Sequence, residues 1–188
     1  MIEILLWIVV AIFPVSEAVL AFAKRSSDRA VLREDRGSML LVWLTITLGL
    51  ALAIALAPVP AGRLPWSPRI SHLLALGFLL GGLALRWIAI LTLGRLFTVD
   101  VAIQADHAVV ETGPYRLVRH PSYTGLLIAF LGVGLSFSSW LSVLALLVPV
   151  TLGIVNRVAK EERALHASLG SAYAAYCART KRFIPGLI

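Results

Sequence analysis

Long apolar runs separated by short charged segments dominate the pattern of the chain. The first run extends from Ile4 to Ala23, the second from Met39 to Ala57 and the third from about Ile70 to Leu93. A helix needs roughly 20 apolar residues to cross the hydrocarbon core of a bilayer. Each run therefore predicts one membrane-spanning helix, which places three spans within residues 1–94.

A fourth uncharged stretch, from Pro121 to Asn156, is too long for a single span. As one helix it would measure roughly 54 Å, against a hydrocarbon core of ~30 Å. Turn-forming residues lie midway, between Gly132 and Ser139. The stretch predicts a helical hairpin over about 122–135 and 139–157, with at least one short or tilted arm.

Composition supports a membrane fold. Hydrophobic residues make up 59% of the 188 positions and charged residues 14%, a charged share about half that of soluble proteins. A soluble fold of this size could not bury so much apolar surface. We expect an all-α, polytopic integral membrane protein. Residues 1–188 would form one domain with about five transmembrane helices. Residues 95–188 would supply a catalytic loop, the hairpin and a C-terminal segment.

The basic residues predict the orientation. Of 17 Lys and Arg residues, 14 lie in loop 24–38, in loop 95–120 or from residue 157 onward. Five spans place all three regions on one side, which the positive-inside rule makes cytoplasmic. Because no basic region precedes the first run, we expect a retained span with its N-terminus outside. The basic residues flank apolar runs rather than form one stripe, so no nucleic-acid partner is expected.

Two features inside the predicted spans are expected to hold helices together. Glu17 and Arg86 are ionisable, and burying either alone is expensive. We expect them to form a mutual ion pair or to extend toward the cytoplasmic interface. Gly77 and Gly81 have the small-xxx-small spacing typical of closely packed helices.

Polar residues cluster in two regions, 106–125 and 156–187, which the hairpin returns to the same side. Arg119, His120 and Tyr123 surround the predicted start of a helix at Pro121, where backbone N–H groups favour an anion. An interfacial anchor explains them equally well. No metal-ligand spacing or nucleotide-binding fingerprint is present, so no metal is expected.

The second cluster has a helical pattern. Arg157 and Glu161 are spaced i, i+4 and share a face, which a simple surface ion pair would also explain. An apolar stripe after Glu162 predicts a cytoplasmic amphipathic helix; its members are Leu165, Leu169, Tyr173 and Tyr176.

Six short motifs follow one another in the second half of the chain: His107-x-x-Val110, Gly113-Pro-Tyr115, Arg119-His-Pro-Ser-Tyr-x-Gly125, Glu161-Glu162, Gly170-x-x-Tyr173 and Arg182-Phe-Ile-Pro185. Together they resemble the isoprenylcysteine carboxyl methyltransferase family, within a wider group that includes membrane phospholipid methyltransferases. The resemblance covers roughly residues 90–188. It departs from eukaryotic members at Asp100, where they have glutamine.

The resemblance implies an S-adenosylmethionine-dependent methyltransferase that releases S-adenosylhomocysteine. It assigns Arg157 to the acceptor carboxylate and these residues to the cofactor: His107, Val110, Tyr115, His120, Pro121, Ser122, Tyr123 and Glu161. Carboxyl O-methylation of a lipophilic, isoprenylcysteine-like substrate on the cytoplasmic face is the expected reaction. The expected partners are this acceptor and membrane lipids, without a protein partner.

Three alternatives remain open. N-methylation of an aminophospholipid or S-methylation of a small thiol would use the same cofactor. A non-enzymatic membrane-binding protein would bind no cofactor. A sterol-type reductase shares part of the Arg-His-Pro-x-Tyr motif, but it would use a nicotinamide cofactor and is disfavoured by the small size of the chain.

Overall fold

The computed structural model describes residues 2–23, 32–97 and 109–186, which form five α-helices and no β-strand. The helices are α1 (Ile2–Ala23), α2 (Leu32–Leu56), α3 (Pro68–Leu93), α4 (Pro121–Ser136) and α5 (Trp140–Arg179). Short 3-10 turns occupy Pro60–Gly62, Gly94–Leu96 and Gly113–Arg116. The all-α prediction is confirmed, and the predicted hairpin is formed by α4 and α5.

Four of these helices, α1, α2, α3 and α5, are long and apolar enough to cross a membrane. Helix α4 has only 16 residues, about 24 Å at 1.5 Å per residue, and is the short arm of the hairpin. Large apolar side chains point outward along the four long helices, among them Ile4, Leu44, Leu91 and Leu152. Such a surface is suited to lipid, so the chain is an integral membrane protein.

The hairpin helices lie at the centre of the bundle. Helix α3 packs along α4, α2 packs along α5, and α1 packs against α3. The core between them contains the fully buried Leu79, Leu146 and Ile154. Phe13 of α1 meets Phe130 of α4 edge to face, with ring centroids 5.2 Å apart. The two halves of the chain therefore share one core.

Helices α3 and α4 approach with their backbones in contact. A Cβ added to Gly125 would lie 2.6 Å from both the backbone nitrogen of Arg86 and the carbonyl oxygen of Gly82. The predicted packing role of Gly77 and Gly81 is wrong within the described chain, because both are exposed and no described atom lies within 4 Å of an added Cβ. The packing face lies one residue further on, at Gly82, because the helical period turns the 77/81 face outward.

Glu17 and Arg86 form the predicted ion pair. The guanidinium of Arg86 holds the Glu17 carboxylate in a two-point fork, with Nε to Oε1 at 2.6 Å and Nη2 to Oε2 at 2.5 Å. This pair joins α1 to α3 within the apolar bundle.

The described connections of the bundle lie at two opposite ends. At one end the segment before α3 meets the turn of the hairpin: Leu64 N donates to Ser138 O at 3.1 Å, and Trp140 Nε1 donates to Ala61 O at 3.0 Å. At the other end, residues 113–120 meet the last part of α5 and the segment after it. These segments form what we call the polar end of the bundle. The hairpin thus brings the two polar clusters together, as its geometry predicts. The cytoplasmic orientation of this end stays a prediction.

Helix α5 continues from the hairpin to Arg179, and Gly170 interrupts it with a φ of 51°. This left-handed backbone conformation favours glycine. The predicted C-terminal helix is therefore a redirected continuation of α5. Tyr173 and Tyr176 of the predicted apolar stripe are buried, because they pack toward the rest of the polar end.

Candidate active site

The start of α4 is the structural centre of the polar end. Pro121 is the first helical residue and is buried; proline fits here because the first turn leaves its N–H groups without helical acceptors. The backbone just before it pairs with the segment that follows α5. Arg119 N donates to Lys181 O at 2.7 Å and His120 N donates to Arg182 O at 3.0 Å. The C-terminal segment therefore completes the entry to this helix.

Glu162 connects three parts of this end through one buried carboxylate. Arg119 Nε donates to its Oε1 at 3.0 Å, while Arg182 Nη2 lies 2.7 Å from its Oε2. His120 Nε2 lies 3.3 Å from Oε1. The bond with Glu162 raises the pKa of Arg182 above its ordinary value. Glu162 is therefore a structural hub, a role that the sequence analysis did not assign.

The side chains of Arg119 and Tyr176 stabilise the same region by donating hydrogen bonds to backbone carbonyls. Nη1 of Arg119 donates to Thr180 O and, at 3.3 Å, to Cys177 O. The hydroxyl of Tyr176 donates to Tyr115 O at 2.7 Å. Arg119 thus binds protein groups, and neither the anion site nor the lipid anchor considered for it describes its observed contacts.

Glu161 has the opposite environment from Glu162. It is half-buried, yet it receives no hydrogen bond and forms no ion pair within residues 2–23, 32–97 and 109–186. The negative charge of Glu161 interacts electrostatically with the hydroxyl groups of Tyr115 and Tyr123. Burial, followed by this charge, raises the pKa of Tyr115 far above its ordinary value, so its phenol stays protonated at neutral pH. The site therefore contains a carboxylate, that of Glu161, which can accept hydrogen bonds close to neutral phenols.

Arg157 lies one helical turn from Glu161 but does not pair with it. Its side chain is buried, with the residue only 2% exposed. Nε donates to the hydroxyl of Tyr123 at 3.2 Å and Nη1 donates to Ser38 Oγ at 2.8 Å. The surface ion pair is thus excluded among the described residues, because Arg157 turns into the bundle, toward α2 and α4.

The remaining predicted cofactor residues have different positions. Ser122 is buried and its Oγ accepts a hydrogen bond from Arg86 at 2.9 Å. His120 is 4% exposed; its ring is tilted against the rings of Tyr123 and Phe183. Val110 is half-buried at the start of the described segment. His107 and Asp100 lie outside the described residues.

The described part of the chain contains no group of three or more His, Cys, Asp or Glu side chains that could hold a metal ion. The polar end instead offers the positively charged guanidinium of Arg157, the carboxylate of Glu161, which has no described partner, and several phenols. Such a set can bind a ligand that has both hydroxyl or cationic groups and an anionic group.

Comparisons with known proteins point to one family. The sequence profile of the isoprenylcysteine carboxyl methyltransferase (ICMT) family matches residues 74–167. Protein-S-isoprenylcysteine O-methyltransferase B of Arabidopsis thaliana is 35% identical over 106 residues, which are 55% of this chain and 54% of the relative. The protein-S-isoprenylcysteine O-methyltransferase of Schizosaccharomyces pombe is 34% identical over 113 residues, covering 59% and 48%.

A solved structure is also similar. The eukaryotic intramembrane Ras methyltransferase ICMT aligns with a TM-score of 0.57 at 26% identity, over 80% of this chain and 51% of that chain. The chain spans about half the length of these relatives. The profile match begins within α3, continues through α4 and ends within α5 at residue 167. It includes Tyr115, His120, Arg157 and Glu161. On this match the chain belongs to the isoprenylcysteine carboxyl methyltransferase family.

Proposed function

We propose that this chain is an integral membrane methyltransferase that uses S-adenosylmethionine to methylate the carboxyl group of a lipophilic, isoprenylcysteine-like acceptor. The reaction would take place at the polar end of the bundle, on the cytoplasmic face. The observation that carries the proposal is Glu161, a half-buried carboxylate without a described partner, one helical turn from the buried guanidinium of Arg157. The named relatives support the acceptor class.

The residues present suit the cofactor. Glu161 is half-buried and has no described hydrogen-bond donor, so its carboxylate could accept hydrogen bonds from ribose hydroxyls or face a cationic sulfonium. The buried hydroxyl of Tyr173 also has no hydrogen-bond partner among the described residues. When bound, S-adenosylmethionine supplies an activated methyl group. Glu161, Tyr115 and Tyr123 would hold the cofactor, together with His107, Val110, His120, Pro121 and Ser122.

Arg157 would orient the acceptor. A guanidinium presents its N–H donors in a planar fork that matches a carboxylate. The bonds of Arg157 to Tyr123 and Ser38 fix this fork between α2, α4 and α5. The bundle around it excludes water and so strengthens its electrostatic attraction for an anion. Holding the acceptor carboxylate within about 3 Å of the methyl group to be transferred is the main contribution that such a site can make.

A carboxylate acceptor needs no general base, because it is already ionised near neutral pH. An amine or thiol acceptor would have to lose a proton. Glu162 is poorly suited to take that proton, because Arg119 and Arg182 already hold its carboxylate. Glu161 would be the available base for the alternative reactions, N-methylation of an aminophospholipid or S-methylation of a thiol.

The test is direct binding followed by transfer. The protein purified in detergent should bind S-adenosylhomocysteine in a calorimeter and transfer labelled methyl groups to a prenylated cysteine. Phosphatidylethanolamine and a small thiol serve as competing acceptors. Binding with transfer only to the amine or thiol would replace the carboxyl reaction, and the absence of cofactor binding would favour a non-enzymatic membrane protein.

A further inference from the structure

The arginine of the ion pair between α1 and α3 also donates hydrogen bonds to a residue of the candidate active site. Besides its two bonds to Glu17, Arg86 uses Nη1 to donate to Ser122 Oγ at 2.9 Å and to the Ser122 carbonyl at 3.4 Å. Ser122 is the second residue of α4 and lies between Pro121 and Tyr123. A single guanidinium therefore links α1, α3 and the first turn of α4.

The backbone around this guanidinium has little freedom to move. Gly125 packs against the backbone of Arg86 so closely that an added Cβ would lie 2.6 Å from the Arg86 nitrogen. Arg86 itself is 7% exposed. The position of its side chain is thus set by the contact of α3 with α4 on one side and by Glu17 on the other.

The direction of these hydrogen bonds determines what Ser122 can do. A serine hydroxyl has one proton to donate and two lone pairs to accept with. Because Arg86 is a donor only, Ser122 Oγ must act as its acceptor, and its proton must point away from the guanidinium. Among the described residues no acceptor for this proton is found.

Stability alone gives little reason for such a pair. A buried ion pair contributes little net stability over apolar residues of similar volume, and charged groups in a membrane are costly. The two-point fork between Arg86 and Glu17 is, however, suited to fixing one orientation.

We propose that Glu17 and Arg86 are positioning residues: they fix the first turn of α4 and hold Ser122 as a hydrogen-bond donor to the bound cofactor. The inference rests on the proposed cofactor site. Glu17 holds the guanidinium in place, Arg86 occupies an acceptor position of Ser122, and the hydroxyl proton of Ser122 is left for an acceptor atom of the ligand.

The test is a double-variant cycle read out by S-adenosylhomocysteine affinity of the full chain in detergent. Arg86→Lys keeps the charge, but an ammonium lacks the planar fork that serves Glu17 and Ser122 together. We expect Arg86→Lys and Ser122→Ala each to weaken binding roughly five- to fifteen-fold, the effect of one lost hydrogen bond. The double variant should bind S-adenosylhomocysteine at most about two-fold more weakly than the single variant of lower affinity, because both changes remove the same interaction.

Arg179→Lys is the matched control, because Arg179 forms an exposed ion pair with Glu111 at the same end, at 2.8 Å; its affinity should stay within about two-fold of wild type. Unchanged affinity in Arg86→Lys, or multiplied effects in the double variant, would overturn the positioning role. If Arg86→Lys fails to fold, Glu17→Gln and Ser122→Thr carry the test. Glu17→Gln should weaken binding and Ser122→Thr should preserve it, and the reverse result would refute the inference. Wild-type protein that binds no S-adenosylhomocysteine would contradict the proposed function instead.

Discussion

Glu161 and Glu162 are neighbours in the chain, but their carboxylates have opposite environments. Two arginines and a histidine surround the carboxylate of Glu162, whereas no described side chain donates to that of Glu161. Successive residues of an α-helix point about 100° apart. One glutamate therefore faces the C-terminal segment, and its neighbour faces the phenols of Tyr115 and Tyr123.

Replacing Glu161 should affect the ligand more than the fold. We expect Glu161→Ala to weaken S-adenosylhomocysteine binding by roughly 10- to 150-fold, because a charge-assisted hydrogen bond contributes ~1.5–3 kcal/mol. Thermal unfolding of the ligand-free protein should change little, since the carboxylate has no described partner to lose. Calorimetry with the folded variant measures both quantities, and unchanged affinity would remove Glu161 from the site.

Replacing Glu162 should mainly destabilise the polar end. Glu162→Gln leaves Arg119 and Arg182 without their carboxylate, and breaking a buried ion pair costs about 3–5 kcal/mol. The exposure of the Arg182 side chain, 47%, places the expected loss toward the lower end. Detergent-solubilised Glu162→Gln should unfold at lower temperature than Glu161→Gln, its matched control. Equal midpoints for the two variants would contradict the hub role.

Arg157 separates acceptor binding from cofactor binding. We expect Arg157→Ala to reduce methyl transfer to a carboxylate acceptor strongly while S-adenosylhomocysteine affinity stays within a few-fold. Arg157→Lys should rescue transfer only in part, because an ammonium loses the planar fork. Arg163→Ala is the control, since Arg163 is an exposed arginine of the same helix. Loss of cofactor binding as severe as in Glu161→Ala would show that the division of roles is wrong.

The two buried tyrosines after Gly170 should respond in opposite directions. The buried hydroxyl of Tyr173 has no partner in the part of the chain that the structure describes. Tyr173→Phe should therefore leave the stability equal or raise it by about 1 kcal/mol. Tyr176→Phe removes the bond to Tyr115 O and should lower stability by about 1 kcal/mol. Thermal unfolding of both variants without ligand is the measurement. A clear loss of stability in Tyr173→Phe would mean that its hydroxyl has a partner in the folded protein.

The two ends of the bundle should lie on opposite sides of the membrane. Ser67 is exposed before α3, and Ser168 is exposed on α5 near the candidate site. In a Cys177→Ser background, Ser67→Cys should react with an impermeant thiol reagent from outside and Ser168→Cys only after permeabilisation. Labelling of Ser168→Cys in intact cells would place the polar end outside the cell.

Much of the fold was predictable because hydrophobic runs determine which segments enter a bilayer. The predicted runs match α1, α3 and α4 closely, and the turn between the hairpin helices contains Ser138 and Ser139. Helix α5, however, continues to Arg179, beyond the predicted end of the second arm at 157. Helix α2 begins earlier than its apolar run, at Leu32. Charged residues there do not prevent a helix, so a hydrophobic pattern locates the membrane core better than it locates helix ends.

The candidate site was predictable only in part. Motif spacing placed Arg157 and Glu161 on one face, but it could not show that the arginine turns into the bundle to contact Tyr123. The pairing of Arg119 with Glu162 joins residues 43 positions apart, a separation that no local pattern reports. The choice of Gly82 over Gly77 and Gly81 depends on the rotation of α3 against α4, which the small-xxx-small spacing leaves undetermined.

The backbone bonds from Arg119 and His120 to Lys181 and Arg182 join segments about 62 residues apart in the chain. When Arg119 and His120 leave the ribosome, the carboxylate of Glu162 and the carbonyls that will hold their side chains have not yet been synthesised. The spans can enter the bilayer in sequence, since each is apolar by itself. The polar end, however, can assemble only after the segment beyond α5 has been made, so the capacity to bind a ligand there is acquired as a late step of biosynthesis.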